Sequence, residues 1–264
     1  MMQLLGNLLS SPKRKHIDSP MAEGDVVDLC DTVSELEGRK AFAVFLTQVL
    51  TESECQALIQ RAEEKGFEQA LVNVGGGKQV KMDDVRNSGR CIIIDPSMAE
   101  LVHQRIMAKL KDHPHLLNYL KDWELKGKLH AVGCNELFRL LQYEPGCYFK
   151  PHFDGCFVRR DEAGEDRRGE LSQATILLYL NEGYKGGSTA FLNHEETAGY
   201  DVVPQTGSVL LFEHHCYHEG ALLRKGCKYV ARTEVMYTRK GPGHEYSEGF
   251  HLKTACEGKD TSMS

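Results

Sequence analysis

The chain has 264 residues, a formal net charge of −6 and a sequence pI of about 6.1. Hydrophobic residues make up 41% and charged residues 27%, a globular mixture that can bury a core. A mildly acidic chain has no global attraction for nucleic acid or anionic lipid, so neither is an expected partner, although a local basic groove would suffice for nucleic acid.

The nine cysteines are odd in number, irregularly spaced and form no CxxC pair. This pattern argues against a disulfide framework and a zinc ribbon, and it favours a reducing compartment. No run of 18 apolar residues is present, so no transmembrane helix is expected. We therefore predict a cytoplasmic protein. Lys13, Arg14 and Lys15 follow a proline and form either a nuclear-import signal or a solvated basic cluster.

Composition divides the chain into four predicted segments. Residues 1–38, basic and then acidic, are predicted to be a disordered N-terminal arm, and residues 241–264 a C-terminal tail. Residues 39–134 are predicted to form a support region of helices and strands. Residues 135–240 are predicted to form the core that carries the function.

Within the support region, AFAVFLTQVL predicts a strand that begins near Ala41. The following TESECQALIQRAEEKG predicts a helix, because Thr51 and Glu54 form a capping-box pattern and Gly66 is a plausible C-cap. RCIIID predicts a buried strand, and residues 97–121 predict one amphipathic helix. From residue 135 onward, short apolar runs alternate with Gly, Asn and Asp turns, at a spacing typical of a double-sheet β fold.

The segment YFKPHFDG carries a candidate metal site. In an extended strand, His152 and Asp154 project from the same face and can reach one metal ion. The downstream segment FEHHCYHEG offers a third ligand from His214, His215 or His218. Two histidines and one carboxylate leave coordination positions open, which suits non-haem Fe(II) better than structural zinc. An HxD pair alone is weak evidence, because it is common by chance.

Four motifs in order strengthen the case: LLQYEPGCYFKPHFDG, ATILLYLNEGYKGGSTAF, PQTGSVLLFEH and HEGALLRKGCKYVARTEVMY, with VRNSGR upstream. Together they resemble the prolyl-4-hydroxylase-like branch of the Fe(II)/2-oxoglutarate oxygenase superfamily. The resemblance implies a mainly β fold with flanking helices around a double-stranded β-helix, a distorted jelly roll. It also implies that His152, Asp154 and His218 bind the iron. His218 is preferred over its two neighbours because HEG followed by KGCK resembles the family's third-ligand signature.

The resemblance also implies a 2-oxoglutarate pocket. Lys228 matches the residue that binds the far carboxylate, and Arg232 would touch the near carboxylate or share the far one, with the two roles open to exchange. Even separations on a strand share a face, so both can point inward. A surface charge is the alternative for Arg232. Tyr143 and Tyr179 match pocket positions, and two core tyrosines are the alternative.

Two loops carry further expectations. Gly186 and Gly187 are predicted to permit a tight turn or a close backbone approach. The charged loop from Arg159 to Glu170 follows the HxD strand directly and is predicted to be a mobile lid.

The resemblance implies a dioxygenase that uses Fe(II), O2 and 2-oxoglutarate, with ascorbate as a candidate reductant. It would hydroxylate a C–H bond of a peptidyl substrate, with proline as the leading candidate, and release succinate and CO2. Hydroxylation of a small molecule, demethylation of a nucleobase and a non-catalytic binding role on the same fold are the alternatives. A zinc hydrolase is a weaker reading, because HExxH is absent.

Overall fold

The computed structural model describes residues 15–17, 26–73, 79–123, 129–159 and 169–238. The predicted tail over 241–264, the basic residues Lys13 and Arg14, and residues 160–168 of the charged loop lie outside this part of the chain. Within it, no helix has the length and apolar character needed to cross a membrane.

The helices of the described residues pack around a β core. The capping box is confirmed at the start of the second helix, where the Glu54 N–H donates to Thr51 Oγ1 at 3.2 Å and the Thr51 N–H donates to Glu54 Oε2 at 2.8 Å. The single helix predicted over 97–121 is divided instead, because Pro114 disfavours helical backbone in the residue before it and begins a new helix. The helices are α1 Cys30–Glu37, α2 Glu52–Lys65, α3 Pro96–Leu110 and α4 Pro114–Lys121.

The strands fall mainly into two sheets. In chain order they are β1 Lys15–Ile17, β2 Val26–Asp28, β3 Ala43–Leu46, β4 Glu68–Gln69, β5 Val72–Asn73, β6 Gln79–Val80, β7 Gly89–Ile94, β8 Asp122–Trp123, β9 Leu129–Cys134, β10 Leu137–Tyr143, β11 Phe149–His152, β12 Glu170–Tyr179, β13 Lys185–Gly186, β14 Thr189–Leu192, β15 Gly199–Val202, β16 Val209–Glu213, β17 His218–Gly220, β18 Leu223–Lys225 and β19 Lys228–Thr238.

The major sheet has the order β2-β3-β16-β12-β19-β10-β7-β4. In addition, β9 pairs with β19, and β8 pairs with β9. The minor sheet has the order β1-β15-β14-β17-β11. The two sheets face each other, since Phe191 of β14 and Phe212 of β16 pack edge to face with ring centroids 5.3 Å apart. The predicted mainly β fold, a jelly roll with flanking helices, is confirmed.

Strand β12 is buried on both faces, which explains its nearly continuous apolar sequence. Ile176 and Leu178 pack toward the helices in the larger core cluster. Leu177 and Tyr179 alternate with them and face the space between the two sheets. Residues 175, 177 and 179 therefore line the interior of the jelly roll, where the candidate site lies.

The predicted boundary of the disordered arm at residue 38 is wrong. Residues 26–28 form β2, which pairs with β3, and α1 follows directly. Leu29 and Val33 of this segment are buried in the interior cluster, and this burial outweighs the acidic composition that suggested disorder. The support region also shares the major sheet with the core, because β3 pairs with β16 and β7 pairs with β10.

Candidate active site

The three predicted metal ligands lie together. Strands β11 and β17 are antiparallel neighbours, and His152 stands directly opposite His218 in their register. Asp154 follows two residues after His152. One ligand atom from each of the three side chains lies within 4.8 Å of the others. Each histidine Nε2 is 3.8 Å from one oxygen of the Asp154 carboxylate. The three side chains can therefore meet around one ion.

Backbone contacts prepare both histidines for metal binding. His152 Nδ1 lies 2.8 Å from the Lys150 carbonyl oxygen, and His218 Nδ1 lies 3.0 Å from the Cys216 carbonyl oxygen. A carbonyl oxygen can only accept, so each Nδ1 carries the proton and each Nε2 presents its lone pair. Burial lowers the pKa of His152 to about 3 and also lowers the pKa of His218, so both rings are neutral near pH 7.

Asp154 is held as an anion. Burial raises the pKa of its carboxyl, but the positive charge of Arg232 more than offsets this, and the pKa lies far below its usual value. Thr175 Oγ1 donates to Asp154 Oδ2 at 2.5 Å. One anionic oxygen and two neutral imidazole nitrogens suit a divalent ion such as Fe(II). The donor set therefore fits the metal that the sequence implied.

The two neighbouring histidines stand apart from this group. His215 is exposed, whereas His214 is 2% exposed and its Nε2 has no hydrogen-bond partner in the described part of the chain. The carbonyl of His214 accepts the Asp154 N–H at 3.0 Å. His214 thus supports the backbone of a ligand residue, and neither histidine joins the metal group.

Arg232 lies inside the jelly roll, so the surface-charge alternative is wrong. Its Nη1 lies 3.0 Å from Glu234 Oε1, and its Nη2 lies 3.0 Å from Asp154 Oδ1. Neither Nε nor Nη2 makes a hydrogen bond within the described residues, although both are buried, so the contact with Asp154 is an ion pair without hydrogen-bond geometry. Glu234 is held in turn by Asn135 and Arg139. Arg232 is therefore anchored at Nη1 and presents its Nε–Nη2 edge to the interior.

Lys228 lies four residues earlier on the same face of β19. It is 3% exposed, and its Nζ donates to the Gly187 carbonyl at 2.5 Å. Among the described residues it has no carboxylate partner. The ammonium lies 5.4 Å from the ring centroid of Tyr143 and 5.5 Å from that of Tyr179. Burial lowers the pKa of Lys228 to about 7. A buried, uncompensated cation of this kind is suited to an anionic ligand.

The rings of the two predicted tyrosines lie beside Lys228. Tyr143 is directly opposite Lys228 in the register of β10 and β19. Tyr179 is fully buried, and its hydroxyl donates to Thr189 Oγ1 at 2.8 Å. Each tyrosine thus contributes a ring to the surroundings of the ammonium. Tyr179 also has the satisfied hydroxyl expected of a core tyrosine.

The glycine pair explains how the loop approaches this pocket. Gly186 and Gly187 have φ angles of 76° and 70°, in the left-handed region. A Cβ on Gly186 would lie 2.4 Å from the Leu222 carbonyl oxygen, and one on Gly187 would lie 2.9 Å from Leu223 Cδ1. The predicted close backbone approach is confirmed.

Sequence reasoning missed two residues of the site. Arg86 belongs to the VRNSGR motif but had no assigned role; its guanidinium lies 4.6 Å from the Phe149 ring, which stacks on His152 at 3.6 Å. Tyr184 packs with Tyr143 at the other end of the interior. Arg86 lies in the VRNSGR motif and Tyr184 in the ATILLYLNEGYKGGSTAF motif, but neither motif indicated a role for them.

Comparisons with known proteins agree with this geometry. The 2OG-Fe(II) oxygenase superfamily matches residues 138–233. Probable prolyl 4-hydroxylase 8 of Arabidopsis thaliana is 24% identical over 75% of this chain and 67% of its own length. Prolyl 4-hydroxylase 1 of the same plant is 26% identical over 64% of this chain and 56% of its own length. The matched region thus spans little more than half to two thirds of these relatives.

A solved prolyl hydroxylase from Trichoplax adhaerens, in complex with a peptide fragment of the hypoxia inducible factor oxygen degradation domain, has a similar fold. The TM-score is 0.51 at 15% sequence identity, and the alignment covers 78% of this chain and 87% of that one. The family match contains the Asp154 carboxylate, both facing histidines and the two interior cations. Residues 138–233 therefore match the 2OG-Fe(II) oxygenase superfamily, and the chain is similar to prolyl 4-hydroxylases.

Proposed function

We propose that the protein is an Fe(II)- and 2-oxoglutarate-dependent dioxygenase that hydroxylates a C–H bond of a peptidyl substrate, with proline as the leading target. One observation carries the proposal. A His152, Asp154 and His218 group whose ligand atoms lie within 4.8 Å of one another shares an interior with Lys228, a buried cation that has no carboxylate partner among the described residues.

The spacing of the two interior cations supports a dicarboxylate cosubstrate. Lys228 and Arg232 are four residues apart on β19, so their Cα atoms are separated by about 13 Å at ~3.3 Å per residue. Arg232 lies at the metal group, and Lys228 lies at the far end of the pocket. We assign the far carboxylate of 2-oxoglutarate to Lys228. We assign the near carboxylate to the Nε–Nη2 edge of Arg232, because parallel N–H groups bind a carboxylate in bidentate fashion.

Fe(II) would supply the activation of oxygen that couples decarboxylation of 2-oxoglutarate to hydroxylation. The protein's residues supply binding, orientation and exclusion of water. Thr175 fixes one oxygen of the Asp154 carboxylate, and the backbone carbonyls orient both imidazoles. Leu177 and Val230 face the interior between the two cations and make that part of the pocket apolar. A dry, apolar lining strengthens the ion pairs and limits side reactions.

A peptidyl substrate is supported by similarity and by the mouth of the site. The relatives are named prolyl 4-hydroxylases, and the Trichoplax enzyme was solved with a peptide fragment. In this chain, Arg86 and Phe149 stack beside His152. Phe153, between two ligands, is 45% exposed. These side chains give a peptide aromatic and hydrogen-bonding surfaces next to the metal.

The test is oxygen-dependent turnover on a library of proline-containing peptides, with Fe(II), 2-oxoglutarate and ascorbate supplied. We expect succinate release with an equal yield of peptide that has gained one oxygen atom. Each active peptide is paired with one in which alanine replaces proline, and Asp154→Ala is the enzyme control. Succinate release without peptide oxidation, stimulated instead by a small metabolite or a methylated nucleobase, would reject the peptidyl assignment.

A further inference from the structure

The hydroxyl of Tyr184 is buried and has no hydrogen-bond partner in the described part of the chain. Burial raises the pKa of this phenol well above its usual value, so the group stays protonated and can donate. An unpaired buried hydroxyl destabilises the folded protein, and native proteins rarely leave one without a functional reason. The surroundings of this hydroxyl therefore indicate which ligand it would serve.

Tyr184 lies beside Lys228. The place that a Cβ on Gly187 would take is 3.7 Å from Tyr184 Cε2 and 3.4 Å from Lys228 Cδ. Cε2 is bonded to the ring carbon that carries the hydroxyl, so the hydroxyl-bearing end of the Tyr184 ring and the Lys228 side chain both lie against Gly187. The ring also packs on the small cluster of Leu141, Tyr143 and Leu223, which closes this end of the interior.

The two groups complement each other chemically. A carboxylate has two oxygens that accept several hydrogen bonds, whereas a lysine ammonium acts as a compact point charge. Lys228 Nζ already donates one N–H to the Gly187 carbonyl. The two remaining N–H groups radiate from one atom, so a donor on a second side chain would fix the orientation of a terminal carboxylate more firmly. The rings of Tyr143 and Tyr179 face the ammonium, and the hydroxyl of Tyr179 is engaged by Thr189.

We propose that the Tyr184 hydroxyl donates a hydrogen bond to the far carboxylate of 2-oxoglutarate and, with Lys228, selects 2-oxo acids that carry this second carboxylate. The inference rests on the proposed function, because it takes 2-oxoglutarate as the ligand of the interior. It adds a specificity residue from the loop before β13. Tyr184 lies in the same motif as Tyr179, ATILLYLNEGYKGGSTAF, which by itself indicated no role for it.

The experiment measures dissociation constants by anaerobic calorimetry with Mn(II) in place of iron. The ligands are 2-oxoglutarate and 2-oxopentanoate, which has a methyl group where 2-oxoglutarate has its far carboxylate. For Tyr184→Phe we expect the Kd of 2-oxoglutarate to rise about 10- to 100-fold, as for loss of one hydrogen bond to a charged group. The Kd of 2-oxopentanoate should stay at the wild-type value.

Tyr229→Phe is the matched control. Tyr229 is next to Lys228 on β19 but faces outward, where its hydroxyl donates to Glu63 Oε1 at 2.6 Å. This variant should bind both ligands as the wild type does. The inference is overturned if Tyr184→Phe binds 2-oxoglutarate with unchanged affinity, because the hydroxyl then makes no hydrogen bond to this ligand. Equal weakening of both ligands also overturns it, because that result marks a packing role. Wild-type protein that binds no 2-oxoglutarate refutes the proposed function itself.

Discussion

Because we assign the far carboxylate of 2-oxoglutarate to Lys228, we expect cosubstrate binding to depend on pH. The ligand-free lysine is buried without a counter-charge, and its pKa is lowered from 10.5 to about 7. A dicarboxylate binds the charged ammonium, so binding near neutral pH requires uptake of a proton. The affinity for 2-oxoglutarate is therefore highest below pH 7, where Lys228 is already protonated, and it falls as the pH rises above 7.

The size of the effect follows from the protonated fraction. With a pKa of about 7, Lys228 is ~90% protonated at pH 6, ~10% at pH 8 and ~1% at pH 9. The Kd of 2-oxoglutarate should therefore rise about tenfold from pH 6 to pH 8 and about a hundredfold by pH 9. The ligand histidine His152 and Asp154 do not contribute over this range, because the pKa values of both lie far below 6.

The assay is calorimetry with 2-oxoglutarate at pH 6, 7, 8 and 9, in buffers of different ionisation enthalpy so that proton uptake is counted. At pH 8 about one proton should be taken up for each ligand bound. The control ligand is 2-oxopentanoate, whose Kd should be nearly flat over the same range. A flat Kd for 2-oxoglutarate, with no proton uptake at pH 8, would refute the assignment of the far carboxylate to an uncompensated Lys228.

Three further outcomes are expected. Lys228→Met should raise the unfolding free energy of the ligand-free protein by about 3 kcal/mol at pH 8 in urea titrations. The reason is that between pH 7 and 10.5 the unfolded wild-type protein binds more protons than the folded one, which destabilises the wild type. A Lys228→Met protein of equal or lower stability than the wild type would contradict this. Arg232→Lys should raise the Kd of 2-oxoglutarate at least tenfold, because a lysine lacks the fork, and unchanged binding would remove Arg232 from the pocket. Gly187→Ala should lower the Tm more than Gly183→Ala. Both glycines have positive φ, but only a Cβ on Gly187 would lie within 2.9 Å of a neighbouring atom. Equal decreases in Tm would show that the neighbouring atoms move to relieve the close contact.

The local part of the site can be read from sequence because strand geometry is periodic. Alternation alone places His152 and Asp154 on one face, and the same rule brings Lys228 and Arg232 inward together. The choice of His218 over its neighbours needed the family resemblance. Three histidines lie within five residues, and the local sequence pattern does not distinguish between them. Spatially, the choice depends on the register that sets His218 opposite His152.

Other features depend on contacts between distant segments, which no local pattern contains. Tyr184 reaches the pocket only because the loop crosses Lys228 at Gly187. Residues 26–37 fold because Leu29 and Val33 find the interior of the jelly roll, although the acidic composition around them favours disorder. The pairing of support-region strands with core strands in one sheet is likewise a contact between distant segments.

We expect Fe(II) and 2-oxoglutarate to bind together at His152, Asp154 and His218. Anaerobic titration of the protein with Fe(II) and 2-oxoglutarate tests it most directly, by the weak visible charge-transfer absorption that a metal-chelated 2-oxo acid produces. We expect this band in the wild type at one equivalent of each ligand and its loss in His218→Ala, which should remain folded by circular dichroism. A wild-type protein without the band at saturating ligand, or a His218→Ala protein that retains it, would contradict the account.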